Sequence, residues 1–318
     1  MGHRGPVIED RLERVFAGAG CRGSVAVLDI DGPGRVALGD DELVVAASTF
    51  KIAVALELFC QGAEGGLDLT ERVRLSPSRA TPGGQGFCVF EDDAEASLRD
   101  VARMRVTISD NTAAGVLIRR VSVARIHARL AGLGLDRIRL AGTIRQEFEA
   151  MGRDAGFGGW AEMEHAMRAA GSPQEADRIW QRVLSAPSLR PGRVTSATAG
   201  HMAALLRLIW RDEAGPAEAC AAVRTLLGQQ RLTRRIAAGW GDEVRVAAKS
   251  GTVPGCVSND VSRSPCSRDR PNPVRGRPRP IPSSARPPGC VSSICADSTE
   301  DVPPAQPTTR LCRSCTAG

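Results

Sequence analysis

The sequence predicts one α/β (α+β) domain over residues 1–261, on three observations: strand patterns near both ends of that stretch, helical patterns through its middle, and loss of pattern after about Val261. Strands at the two ends with helices between them describe a sheet that carries an inserted helical region, here about residues 80–200.

The elements follow in chain order. In MGHRGPVIEDRLERVFAGAG the residues Ile8, Leu12, Val15 and Phe16 share one helix face, and no apolar run has the length of a signal peptide. GAGCRG, Gly18 to Gly23, matches GxGxxG, but it follows a helix pattern and precedes a strand, the reverse of a dinucleotide-binding turn. It reads as a flexible connection. SVAVLDIDGPGRVAL reads as two strands around a Gly-Pro-Gly turn, and STFKIAVALELFCQGAEGGL as an apolar helix stopped by glycines. Helical patterns dominate from about 98 to 235, with a long irregular stretch near AGTIRQEFEAMGRDAGFGGW, and DEVRVAAKSGTV returns to period-two alternation.

Composition excludes several function classes. With 42% hydrophobic residues in 318 there is ample material for a core, but aromatic content is 3% and tyrosine is absent, which argues against base stacking on aromatic rings. The formal charge of +6 is concentrated in residues 262–318, which hold nine arginines and four acids. No nucleic-acid partner is expected. No stretch approaches a membrane span, so no membrane partner is expected either. As written the chain reads as a cytoplasmic monomer, or as a secreted one if the start site is misassigned.

Cys21, Cys60, Cys88 and Cys220 are scattered as buried thiols usually are, whereas six cysteines fall between Cys256 and Cys315. CVSSIC and CRSC have the spacing of metal or disulfide pairs, but nothing regular surrounds them and no histidine lies beyond His201. His3, His127, His165 and His201 show no metal-ligand spacing, so neither metal nor cofactor is expected.

Of the 42 basic residues only Lys51 and Lys249 are lysine, and each stands beside a serine in a short pattern. Arginine keeps its charge at any working pH, while a desolvated lysine can give up and retake a proton. Ser48 precedes Lys51 by three residues, which puts both on one helix face, and a lysine of depressed pKa can take the proton of a serine nucleophile. SxxK by itself is common and fits a capped helix equally well. Here ISDNTAAGV adds Ser109, Asp110 and Asn111 some 60 residues on, and Lys249, Ser250, Gly251 and Thr252 close a strand pattern.

STFK, SDN and KSGT in this order resemble the three motifs of the serine β-lactamase and penicillin-binding protein superfamily, most of all its class A side, over about residues 24–261. TSATAGHMAALLRLIW is similar to the threonine-initiated helix that follows the family's omega loop. The resemblance implies a β-lactamase-like fold, an antiparallel sheet with flanking helices plus an all-helical subdomain. It implies Ser48 as acylated nucleophile, Lys51 as base or relay, Ser109 as proton donor to the leaving nitrogen, and Asn111 as orienter of the substrate amide. Lys249, Ser250 and Thr252 would hold a carboxylate, with Gly251 between them, and the N–H groups of Ser48 and Thr252 would form an oxyanion hole.

Two departures qualify it. No E-x-x-L-N motif follows SDN, and Glu147 in IRQEFEAMG is the candidate deacylating residue by distance along the chain. The family also continues after its KSG strand with two strands and a helix. Here residues 262–318 hold 11 of the 20 prolines and few paired apolar positions. The C-terminal strands therefore read as missing, the tail being disordered or, because GC-rich DNA read out of frame yields arginine, proline, serine and cysteine, frameshifted near Ser262. The function expected is hydrolysis of a small-molecule β-lactam or other acyl substrate through an acyl-enzyme at Ser48. The rivals are a penicillin-binding or esterase-like protein without efficient deacylation, and an inactive remnant.

Overall fold

A five-stranded antiparallel sheet and one helix buried along its length organise the protein. The structure is a computed structural model and describes residues 5–231, 236, 244–254, 256–265 and 290–298. The amphipathic N-terminal segment forms α1 (Gly5–Gly18), and the chain turns through Gly20, at φ 63°, into β1 (Cys21–Asp29). Gly23 on β1 leaves room for the Phe16 ring of α1, where a Cβ would collide. β2 (Arg35–Leu38) returns antiparallel, Val25 opposite Leu38, after a turn closed by the Asp29 N–H on the Gly34 carbonyl at 2.8 Å.

After β3 (Val44–Val45) a 3₁₀ turn, Ala47–Phe50, runs into α2 (Lys51–Ala63). Residues Lys51 through Gln61 are all buried, as expected for a helix whose sequence is apolar on every side. Its one acid, Glu57, accepts from the Gln61 amide at 2.7 Å and pairs with Arg129. Because Leu56 is 1% exposed within the main core cluster, Leu56→Ala is expected to lower stability by about 2–5 kcal/mol in chemical denaturation.

β4 (Arg72–Leu75) and β5 (Ala94–Ser97) form a separate antiparallel pair. The helical region that follows comprises α3 (Leu98–Thr107), α4 (Asn111–Val121), α5 (Val123–Gly132), α6 (Ile144–Asp154), α7 (Trp160–Ala169) and α8 (Pro173–Leu184). Most of these helices begin with a side-chain cap: Ser97 for α3, Asp110 for α4, Thr143 for α6 and Ser172 for α8. β6 (Ser196–Ala197) pairs with β3. The chain continues through α9 (Ala199–Trp210), capped by Thr198, and α10 (Ala217–Leu227) to β7 (Val244–Val253).

One expectation is corrected. The stretch around Ile144 is not irregular but helical, because Thr143 and Gln146 form a reciprocal capping box that starts α6 before its glycines intervene. Beyond β7 the described backbone has β8 (Cys256–Pro265) and β9 (Cys290–Ser298), in the sheet order β2-β1-β9-β8-β7. Gly251 stands opposite Ser258, and Val25 opposite Ile294. Backbone pairing asks only for unpaired N–H and C=O groups along an edge, which β7 and β1 both offer, so an apolar-poor segment can fill the gap. The rest of the proline-rich tail, CRSC included, lies outside the described residues.

Candidate active site

Three chain segments meet at the end of α2. The first is the 3₁₀ turn that carries Ser48, fixed by Thr49, whose hydroxyl donates to the Ala46 carbonyl at 2.6 Å. Ala47, just before the serine, has φ 47°, a left-handed conformation that residues other than glycine seldom adopt. Lys51 follows as the first residue of α2 and is fully buried.

The second segment links α3 to α4. Ser109 is also left-handed, at φ 63°, and so presents its hydroxyl and carbonyl toward α2. Asp110 caps α4 through one carboxylate oxygen, which accepts from the Ala113 N–H at 3.0 Å, while the other accepts from the Phe87 N–H at 2.8 Å. Asn111 donates to the Pro82 carbonyl at 2.9 Å. Lys51 Nζ lies 2.7 Å from the Ser109 carbonyl, 2.9 Å from Asn111 Oδ1 and 3.2 Å from Ser109 Oγ.

β7 is the third. Lys249, also fully buried, donates to Ser109 Oγ at 3.0 Å and to the Ser250 carbonyl at 2.6 Å, so one hydroxyl stands between the two lysines of the protein. Ser250 Oγ is 2.8 Å from the Gln230 amide. Gly251 is required by a close approach: a Cβ there would stand 2.6 Å from Ser48 N and 2.8 Å from Ala47 Cβ. The strand backbone thereby lies directly against the N–H of Ser48.

A cleft of about 590 Å³ opens on this cluster, lined by Ser48, Ser109, Asn111, Ser250, Gly251 and Thr252 together with Gln85 and Arg231. A smaller cavity behind it is lined by Ser48, Asn111 and Thr252 on one side and Glu147, Phe148 and Thr195 on the other. Glu147 is thus brought to the serine, although its Oε1 accepts from the Thr195 N–H at 3.0 Å and from the Thr195 hydroxyl. Every residue that the sequence motifs single out lines or adjoins these two spaces.

Burial dominates the electrostatics. It pushes the Lys51 ammonium well below the ordinary lysine range, with the charges of Lys249 and Arg105 adding to the effect and that of Asp110 opposing it. It also raises the Glu147 carboxyl, against two hydrogen bonds from Thr195 that lower it.

Motif reading missed Gln85, Arg105, Thr195, Gln230 and Arg231. Only Arg105 left a clear trace, as an arginine in register with Leu98, Val101 and Ala102 on the apolar stripe of α3. His127 and His201 accept backbone hydrogen bonds, from Leu140 at 3.0 Å and Arg137 at 3.3 Å. Among the described residues no three of His, Cys, Asp or Glu are grouped to hold a metal, and no helix is long and apolar enough to cross a membrane.

Fold and motif geometry together define a β-lactamase-type chain. The chain belongs to the beta-lactamase enzyme family, which it matches over residues 7–262. It is 23% identical over 248 residues to the beta-lactamase regulatory protein BlaB of Streptomyces cacaoi, covering 74% of this chain and 77% of that protein. Its fold is that of the beta-lactamase from Sphaerobacter thermophilus DSM 20745, with a TM-score of 0.67, 19% identity and coverage of 92% and 89% of the two chains. It is also that of a mutant of PBP-A solved as an acyl-enzyme complex with penicillin G, at a TM-score of 0.64, 15% identity and coverage of 92% and 88%.

Proposed function

We propose that the protein is a serine hydrolase that opens a β-lactam amide through an acyl-enzyme on Ser48. The observation that carries this reading is the Ser109 hydroxyl held between Lys51 and Lys249 at 3.2 Å and 3.0 Å, in the cleft that Ser48 lines. Ser48 gives its proton to Lys51 as its Oγ bonds to the lactam carbonyl carbon. Ser109 then passes a proton to the lactam nitrogen as the C–N bond breaks, and regains one from Lys51. Asn111 keeps a second N–H free for the substrate amide, its first being used by Pro82. Lys249, Ser250 and Thr252, with Arg231 at the mouth, supply the positive potential and donors for a substrate carboxylate. A water activated by Glu147 completes the cycle by hydrolysing the ester.

Intact-mass measurement during incubation with a reactive penicillin tests this. An adduct that appears and then decays is expected, with none in Ser48→Ala; labelling that survives Ser48→Ala would overturn the assignment. Gly251→Ala should slow adduct formation by about 10²–10³-fold, because the added methyl displaces the Ser48 N–H from the oxyanion site.

A second reading keeps the acyl-enzyme but not its release. It is favoured by the double hydrogen bond from Thr195 that already occupies Glu147 Oε1. A protein that senses or binds penicillin would show the same adduct persisting over hours.

A further inference from the structure

Arg105 of α3 is fully buried, and among the described residues none of its guanidinium nitrogens has a hydrogen-bond partner. Its Cζ lies 5.8 Å from the centroid of the Phe50 ring, the residue immediately before Lys51. Among the described residues no carboxylate pairs with it. Buried charges are ordinarily paired, since an uncompensated one costs stability. An apolar residue would fit the stripe of α3 better, as Leu98, Val101 and Ala102 do.

The charges facing Lys51 are Lys249 from β7, Arg105 from α3 and the Asp110 carboxylate at the start of α4. That carboxylate is already bonded to the N–H groups of Ala113 and Phe87. Three cationic groups cannot all keep their protons cheaply when all three side chains are fully buried, and of lysine and arginine it is lysine that yields. Burial lowers the proton affinity of Arg105 too, but a guanidinium is not deprotonated in proteins, whereas a lysine ammonium is.

The contacts of Lys51 suit an amine. Two N–H bonds reach the Ser109 carbonyl at 2.7 Å and Asn111 Oδ1 at 2.9 Å, and the lone pair can then accept the Ser109 hydroxyl at 3.2 Å. Ser109 Oγ meanwhile accepts from Lys249 at 3.0 Å, which leaves its own proton free to give. The Asp110 carbonyl, at 3.5 Å, is at the limit of hydrogen-bond range.

We propose that Arg105 is a positioning residue whose buried positive charge holds Lys51 as the free amine that takes the Ser48 proton. Its catalytic meaning rests on the acyl-enzyme reading above, but the protonation state of Lys51 can be measured without any substrate. With two lysines in the chain, protein labelled with [13C,15N]lysine gives two side-chain signals, and Lys249→Arg assigns them.

The Lys51 titration midpoint is expected to rise by about one pH unit or more in Arg105→Met and in Arg105→Gln, as for loss of a like charge nearby in a buried site. Thermal unfolding should occur no earlier than in the wild type, since an unpaired charge has been removed. The acid limb of the penicillin acylation rate should move up by the same amount. An unmoved Lys51 midpoint in either folded variant would overturn the proposal, because a guanidinium kept for packing alone would leave it in place. A shifted midpoint in a protein that forms no penicillin adduct would support the role of Arg105 and reject the β-lactam reading.

Discussion

Lys51→Met is expected to slow acylation of Ser48 by about 10²–10⁴-fold, the usual contribution of a positioned general base. Methionine fills much of the same buried volume on α2, so the variant should remain folded, with the Ser109 carbonyl and Asn111 Oδ1 each losing a donor. Lys51→Arg makes the sharper comparison. It places a permanent positive charge at the end of α2 where the amine can be neutral, and it cannot take up the serine proton, so it should be as slow as Lys51→Met. Acylation of both variants within tenfold of the wild-type rate, followed by intact mass, would mean that another group takes the serine proton, with Glu147 across the small cavity as the first suspect.

Glu147→Gln should leave acylation close to wild type and slow release of the acyl group by about 10²–10⁴-fold, so that the adduct accumulates. Glutamine can keep an oxygen facing the Thr195 N–H and hydroxyl, which confines the change to the carboxylate. Stability gives an independent readout. Because burial raises the Glu147 carboxyl above its ordinary value, the folded wild type binds this proton more tightly than the unfolded chain does. It therefore loses stability as pH rises from the ordinary glutamate range through the raised value, and is flat above it. Glu147→Gln removes that loss, so the variant should gain on the wild type across that window and hold the gain at neutral pH. A variant that releases acyl groups at the wild-type rate would assign hydrolysis to another residue. Wild-type deacylation should itself fall on the acid side as Glu147 takes up its proton, at a pH above that of an ordinary glutamate.

Much of this site was legible because its chemistry is written in short local patterns. Two lysines in an arginine-rich chain, each beside a serine, and an SDN between them mark Ser48, Lys51, Ser109, Asn111 and the KSGT strand as one cluster from the order of residues alone. Gly251 was legible as part of a motif, though its physical reason, the approach of β7 to the Ser48 N–H, appears only in three dimensions. Thr195 and Gln230 were not legible. A threonine that anchors a glutamate 48 positions away and an amide that holds a serine 20 positions away leave no periodic or compositional mark. The helix α6 was legible in principle through its Thr143–Gln146 capping box, but the glycines around it outweighed that signal in a reading by composition.

The burial of Lys51 and Lys249 also determines what the outside of the molecule lacks. Both side chains are 0% exposed, and the sequence holds no other lysine, so the folded surface carries its positive charge on arginine alone. Amine-directed reagents, and enzymes that attach tags to lysine side chains, find nothing to modify on the native protein apart from the chain terminus. Unfolding uncovers both amines at once, which makes lysine acylation a reporter of the unfolded fraction and ties any lysine-directed marking of this protein to loss of the Ser48–Ser109 cleft.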